Sequence, residues 1–172
     1  MKKILVLCTG NSCRSQIAHG YLEQIGLDKV EVYSAGVETH GVNPMAIATM
    51  KNDGIDISNH TSNNIAEYQH IEFDYVISVC DNAKERCPIF PGKAIKLHHN
   101  FPDPAKAKGT EQEIENEFKR VREMIKICMP STKKYEWTIG TIYWQFYRKT
   151  DYIKLFFNGV QRLNVVHDEV DR

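Results

Sequence analysis

The chain has 172 residues, 42% of them hydrophobic, which is enough to bury a core without disulfide or metal staples. Its 22 Lys and Arg balance 22 Asp and Glu, so the basic excess that a nucleic-acid partner requires is missing. The start, Met1-Lys2-Lys3, leads into too short an apolar run for a signal peptide, and no run approaches the roughly 18 apolar residues of a membrane span. Five cysteines form no even framework, so reduced thiols in a cytoplasm are expected.

Strand and helix signals alternate, the mark of a parallel α/β sheet. Lys3–Leu7 reads as a buried strand. A Gly/Asn loop follows, and Ser15 to Gly26 reads as a helix with Ile17, Ala18, Tyr21, Leu22 and Ile25 on one face and Gly26 as its stop. Val30–Ser34 is a second strand, and Asn43-Pro44 caps and opens a second helix. A shorter helix is expected after Thr61. Phe73–Val79 and Ala94–Leu97 are further strands. Thr110-Glu111-Gln112-Glu113 is a capping box, and Ile114, Phe118, Val121, Ile125 and Cys128 form the apolar stripe of the helix behind it, which Pro130 ends.

The first turn carries the chemistry. Cys8-Thr9-Gly10-Asn11-Ser12-Cys13-Arg14-Ser15 joins the first strand to the first helix. Backbone N–H groups of such a loop and helix start make an anion cradle. Arg14 adds a bidentate fork for a tetrahedral oxyanion. Cys8 lies at the floor, where the positive field is expected to lower its pKa, and Ser15 is expected to donate a hydrogen bond to the sulfur. Thr9, Gly10, Asn11, Ser12, Cys13 and Arg14 are the substrate-binding candidates, with Cys8 as nucleophile. In a parallel sheet, ligands bind off the carboxyl ends of the strands, so Cys80, after the Phe73–Val79 strand, belongs at the same edge, and the loop near Asp103 reaches it. Asp103, stiffened between Pro102 and Pro104, is the candidate acid for the leaving oxygen.

The Cys-x5-Arg-Ser run that opens the first helix resembles the signature of the low-molecular-weight tyrosine phosphatase superfamily. Tyr33 to Pro44, Asp56 to Ser62 and Val79-Cys80 through Cys87-Pro88 narrow the resemblance to the thioredoxin-coupled arsenate reductases built on the phosphatase fold. It covers about residues 1–129 and implies a flavodoxin-like parallel sheet with helices on both faces. A domain over 1–130 and a C-terminal extension over 131–172 are expected. The resemblance also implies arsenate reduction, with possible residual phosphatase activity. Cys80 would attack the sulfur of a Cys8–arsenate adduct, Cys87 would resolve the first disulfide into Cys80–Cys87, and thioredoxin would be the partner. It places the acid at Asp103 as well.

If the segment between Cys80 and Cys87 is helical, the two cysteines lie about 10 Å apart along its axis. A disulfide tolerates a Cα separation of only about 7 Å, so the segment must unwind on oxidation. Two alternatives stand beside this reading. One is a low-molecular-weight phosphatase, although Ala105-Lys106 follow Pro104 where the phosphatase motif has tyrosines. The other is a non-catalytic oxyanion or redox sensor.

Relatives bind potassium through oxygens beside the loop. Asn11, Ser34 and Thr61 match that pattern, whereas His19 and Asn63 stand where those relatives have acids. At most a weak potassium ion is expected, and no tightly bound cofactor. Cys80, Cys87, His98 and His99 lack the tight Cys-x2-Cys pair of a zinc site. Cys13 reads as a spare loop thiol, and His40 and His60 as loop histidines. The tail holds Trp137, Trp144 and apolar residues near helical spacing, and is expected to pack on the domain.

Overall fold

The computed structural model describes residues 1–81 and 93–129. Strand β1 (Lys2–Cys8) leads to helix α1 (Arg14–Gly26), strand β2 (Val30–Gly36) and helix α2 (Pro44–Lys51). Strands β3 (Tyr75–Ser78) and β4 (Ile95–His98) and helix α3 (Glu111–Cys128) follow, with short 3-10 turns at Leu27–Lys29, Ile65–Tyr68 and Pro104–Lys106. The strands form one parallel sheet in the order β2-β1-β3-β4. Ile4, Leu5, Val6 and Leu7 of the central β1 are fully buried, as expected for an apolar strand in a parallel sheet. The register sets Cys8 beside Gly36, Leu7 beside Ser78, and Ser78 beside His98, so the loops after all four strands open on one edge.

The capping signals act as the sequence implies. Asn43 Oδ1 accepts from Met45 N at 2.8 Å with Pro44 in the first turn. Thr110 and Glu113 form the capping box of α3. Helix α3 buries Phe118, Val121, Ile125 and Cys128 and packs on α1 and α2. A polar clamp fastens the same helices: buried Arg122 donates to Thr49 O at 2.7 Å, while Lys126 and Tyr21 meet on Asp53.

Two local expectations change. The element after Thr61 is a single 3-10 turn, Ile65–Tyr68, closed by a capping box between Asn64 and Glu67. Gly26 is the last residue of α1, but it is Leu27 that takes the positive φ, at 45°. Gly26 is needed for space, since a Cβ there would lie 2.0 Å from Val30 Cγ2. Pro130, the tail with both tryptophans, and the segment holding Cys87 lie outside the described residues. Among the described residues, no helix is long and apolar enough to cross a membrane.

Candidate active site

The loop after β1 is shaped by where its carbonyls go. Thr9 O accepts from Glu38 N, Gly10 O from His40 N, and Ser12 O from Asn43 N, at 2.9 to 3.1 Å. A trans peptide points its N–H opposite its C=O, so the N–H groups of Gly10, Asn11 and Cys13 turn inward. Asn11 holds the bend with φ 44°. Gly36 permits the close approach of β2, because a Cβ there would lie 2.5 Å from Thr9 O and 2.8 Å from Asn11 N. The inward amides meet the start of α1, whose cap, Cys13, supplies no side-chain hydrogen bond. The cradle expected from the sequence is therefore present.

Arg14 enters it from the first turn of α1 and is 9% exposed. Its Nη1 donates to Phe101 O at 3.0 Å, and its Nη2 lies 3.1 Å from Asp103 Oδ2. Its Nε is buried without a hydrogen-bond partner. That orphan donor suits an incoming oxyanion. Asp103 is held by Arg14 and by Ala105 N at the start of the Pro104–Lys106 turn. Cys8, Cys80, Arg14, Asp103 and Lys106 line one cavity of about 530 Å³. Lys106 was not anticipated. Its signal was the turn after Asp103, which carries a lysine back to the rim and adds positive charge for an anion.

Two expectations about Cys8 are corrected. Ser15 Oγ donates to Asn11 Oδ1 at 2.9 Å, so its one proton braces the loop and does not reach the sulfur. The Cys8 thiol is pushed up from its ordinary pKa, by its hydrogen bond with Cys80 first and then by burial. Arg14 and the Thr9 N–H pull it down but do not win. Cys80 is buried, and its Sγ lies 3.3 Å from Thr9 Oγ1. The neighbouring Cys80 thiol and burial together keep the proton on Cys8. Cys13 also lines the cavity, with its pKa raised by burial to about 11. Cys87 lies outside the described residues.

His98 Nε2 lies 3.0 Å from Asp81 Oδ1, its Nδ1 lies 2.8 Å from Ser78 Oγ, and Asn100 also donates to Asp81. These bonds anchor the residue after Cys80 to the end of β4. His99 packs on Phe101, with ring centroids 4.3 Å apart. His40 pairs with Glu38 at the rim.

Behind the loop, the residues that match the relatives' potassium pattern come together but do not fit that ion. Asn11 Nδ2 donates to Ser34 O, and Thr61 Oγ1 donates to Asn63 Oδ1. Ser34 Oγ meets His19 Nδ1, and no carboxylate from position 19 or 63 joins the oxygens. A hard cation would have to displace these bonds without an acid to compensate.

The chain matches the family described as low molecular weight phosphotyrosine protein phosphatase over residues 3–132. Arsenate reductase 2 of Staphylococcus epidermidis is 48% identical over 132 residues, which cover 77% of this chain and 96% of that protein. A solved structure of an arsenate reductase in the phosphate binding state aligns with a TM-score of 0.60 and 35% identity, covering 73% of this chain and 92% of that one. The thioredoxin-dependent arsenate reductase of Corynebacterium glutamicum aligns with a TM-score of 0.53 and 28% identity, over 72% of this chain and 60% of its own. With an oxyanion cradle, a cysteine at its floor and an arginine fork on the same α/β sheet, this chain belongs to the low molecular weight phosphotyrosine protein phosphatase family.

Proposed function

We propose that the protein reduces arsenate to arsenite through Cys8, Cys80 and Cys87 in turn, and that thioredoxin regenerates it. One observation carries the reading: a second buried thiol, Cys80, lines the same oxyanion pocket as the Cys8 nucleophile. Ester hydrolysis needs one thiol, whereas a reduction needs two to supply an electron pair. The arsenate reductases similar to this chain point the same way.

The steps balance as follows. The oxyanion binds to the inward amides and Arg14, Cys8 gives its proton to an oxygen of the bound arsenate dianion, and the resulting thiolate adds to arsenic. One arsenic oxygen leaves as water with the proton of Asp103. Cys80, as thiolate, then attacks the Cys8 sulfur, and the sulfur–arsenic bond breaks toward arsenic. Arsenic takes the electron pair and departs as arsenite, while the two thiols become the Cys8–Cys80 disulfide. Cys87 attacks the Cys80 sulfur, frees Cys8 and leaves Cys80–Cys87, which a thioredoxin dithiol reduces.

The test mixes the protein with thioredoxin, thioredoxin reductase and NADPH, and follows NADPH loss with and without arsenate. Arsenate-dependent loss is expected. Brisk aryl-phosphate hydrolysis without such loss would make the protein a phosphatase. Neither activity would leave an oxyanion or redox sensor.

A further inference from the structure

Behind the catalytic loop, His19, Glu23 and His60 bring three metal-ligating side chains to one point, their donor atoms all within 4.8 Å of one another. It is the one such group among the described residues. His19 and Glu23 are one helical turn apart on α1 and so share a face. His60 comes from the loop before Thr61, and its ring lies 4.4 Å from that of His19, tilted by 34°. His19 Nε2 is 3.0 Å from Glu23 Oε1, and His60 Nε2 is 3.3 Å from Glu23 Oε2.

We infer that His19, Glu23 and His60 form a binding site for a divalent transition metal of the zinc class, separate from the thiols. Two imidazoles and one carboxylate are the donor set of such ions, and they do not suit an alkali cation. With bonds of about 2.1 Å, tetrahedral ligands stand about 3.4 Å apart. The contacts to Glu23 already lie near that spacing.

The surroundings prepare the nitrogens. Gln16 Nε2 faces three acceptors, Asn11 O, Asn11 Oδ1 and Thr61 O, at 2.9 to 3.0 Å. Its Oε1 is thereby turned to His60 Nδ1, 3.0 Å away, and an oxygen of this kind can only accept. His60 Nδ1 therefore donates to Gln16 Oε1, and Nε2 is the ring nitrogen turned toward Glu23 and the candidate site. Ser34 Oγ lies 3.0 Å from His19 Nδ1. An oxygen partner on the far nitrogen of each histidine is what metal sites use to orient their ligands. His19 Nε2 itself is buried and, although close to Glu23, has no hydrogen-bond partner. A metal ion would supply the missing partner. Glu23 is half-exposed and leaves a path from solvent, with room for a water as fourth ligand.

The experiment titrates the full chain with Co²⁺ in the absence of added thiol, and reads visible absorbance. One equivalent is expected to bind with the weak visible bands of nitrogen- and oxygen-coordinated cobalt. Zn²⁺ is expected to compete, and to raise the melting temperature. The bands should persist when Cys8, Cys80 and Cys87 are all replaced by alanine. His19→Ala and Glu23→Gln should each weaken cobalt binding about tenfold or more. If His19→Ala does not fold, Glu23→Gln, at a half-exposed position, carries the comparison. The inference is overturned by absence of binding, by absorption that is all sulfur-to-cobalt charge transfer and vanishes with the cysteines, or by a Glu23→Gln variant that binds as the parent does. None of these readouts depends on arsenate reduction, so this site and the proposed activity stand or fall separately.

Discussion

On its inner face the loop from Cys8 to Arg14 turns an orphaned guanidinium nitrogen and backbone amides toward the cavity; on its outer face the polar groups are engaged. Inside, the Arg14 Nε is orphaned and the amides of Gly10, Asn11 and Cys13 point into the cavity. Outside, fully buried Asn11 accepts from Ser15 Oγ and Gln16 Nε2 and donates to Ser34 O and Asn63 O. The contrast has a physical logic. An anion site works best when its donors already point at the ligand and need no rearrangement. Unsatisfied donors repel one another and would collapse unless the backbone were fixed from behind, which the hydrogen bonds of Asn11 do.

The largest effects are expected on the inner face. Cys8→Ser should remove arsenate turnover and aryl-phosphate hydrolysis together, since a serine hydroxyl is not ionised by this cradle. Arg14→Lys should lower kcat/KM about a hundredfold or more, because a point charge replaces neither the fork nor the Nε donor. Near-parental rates in either variant would break the contrast, by showing that the orphan groups are not what the oxyanion uses.

Next comes the sulfur pair. Cys80→Ala should abolish multiple turnovers with arsenate and spare phosphate-ester hydrolysis. It also removes the largest influence raising the Cys8 pKa. The sign is downward: Cys8 should ionise at lower pH, and its alkylation by iodoacetamide at pH 7 should become faster. A midpoint that stays in place or rises in the alkylation profile would mean that burial, not Cys80, holds the proton on Cys8.

On the outer face, Asn11→Ala should cost about 2–4 kcal/mol in urea unfolding, since it strands buried partners and puts alanine at a positive φ. kcat/KM should fall about tenfold through loss of loop geometry. Asn11→Gly separates the two causes. It removes the backbone strain but not the lost hydrogen bonds, so it should remain destabilised. Full recovery in the glycine variant would show that the side chain of Asn11 braces nothing.

What could be read in the sequence follows the range of each interaction. The Asn43-Pro44 cap, the Thr110–Glu113 box and the Cys8-to-Arg14 loop are local patterns, and each forms as the residues imply. The placement of Cys80 and Asp103 at the Cys8 edge followed from parallel topology, and the cavity brings them together. The failures depend on contacts between distant segments. The Cys8 pKa goes up because a thiol 72 positions away in sequence meets it, which no local field argument contains. The Ser15 proton goes to Asn11 because the loop bends that carbonyl oxygen over α1. Glu23 was not singled out, because its partner His60 is remote in sequence and an exposed helix glutamate has no signature of its own. Gly26 does end α1, but the reason a glycine is needed there, clearance from Val30 across a tight connection, is not local.

The smallest expected effect sharpens the contrast at the edge where the inner face meets β4. His98 ties Ser78, at the end of β3, to Asp81, the residue after Cys80. Asp81 is mostly exposed, so the ion pair itself adds little, and the loss in His98→Ala should be about 1 kcal/mol, most of it from the Ser78 hydroxyl. The catalytic consequence should be selective. Under the proposed chemistry, phosphate-ester hydrolysis would use Cys8, Arg14 and Asp103, none of which His98 touches among the hydrogen bonds described. The arsenate reaction also needs Cys80 held within reach of the Cys8 sulfur, and loosening Asp81 lowers the fraction of time in which it is. Single-turnover formation of the Cys8–Cys80 disulfide should therefore slow about twofold to tenfold, with ester hydrolysis unchanged. A parallel loss of both reactions would mean that His98 supports the whole edge of the sheet. A loss of neither would mean that Cys80 is positioned by Thr9 and its burial alone.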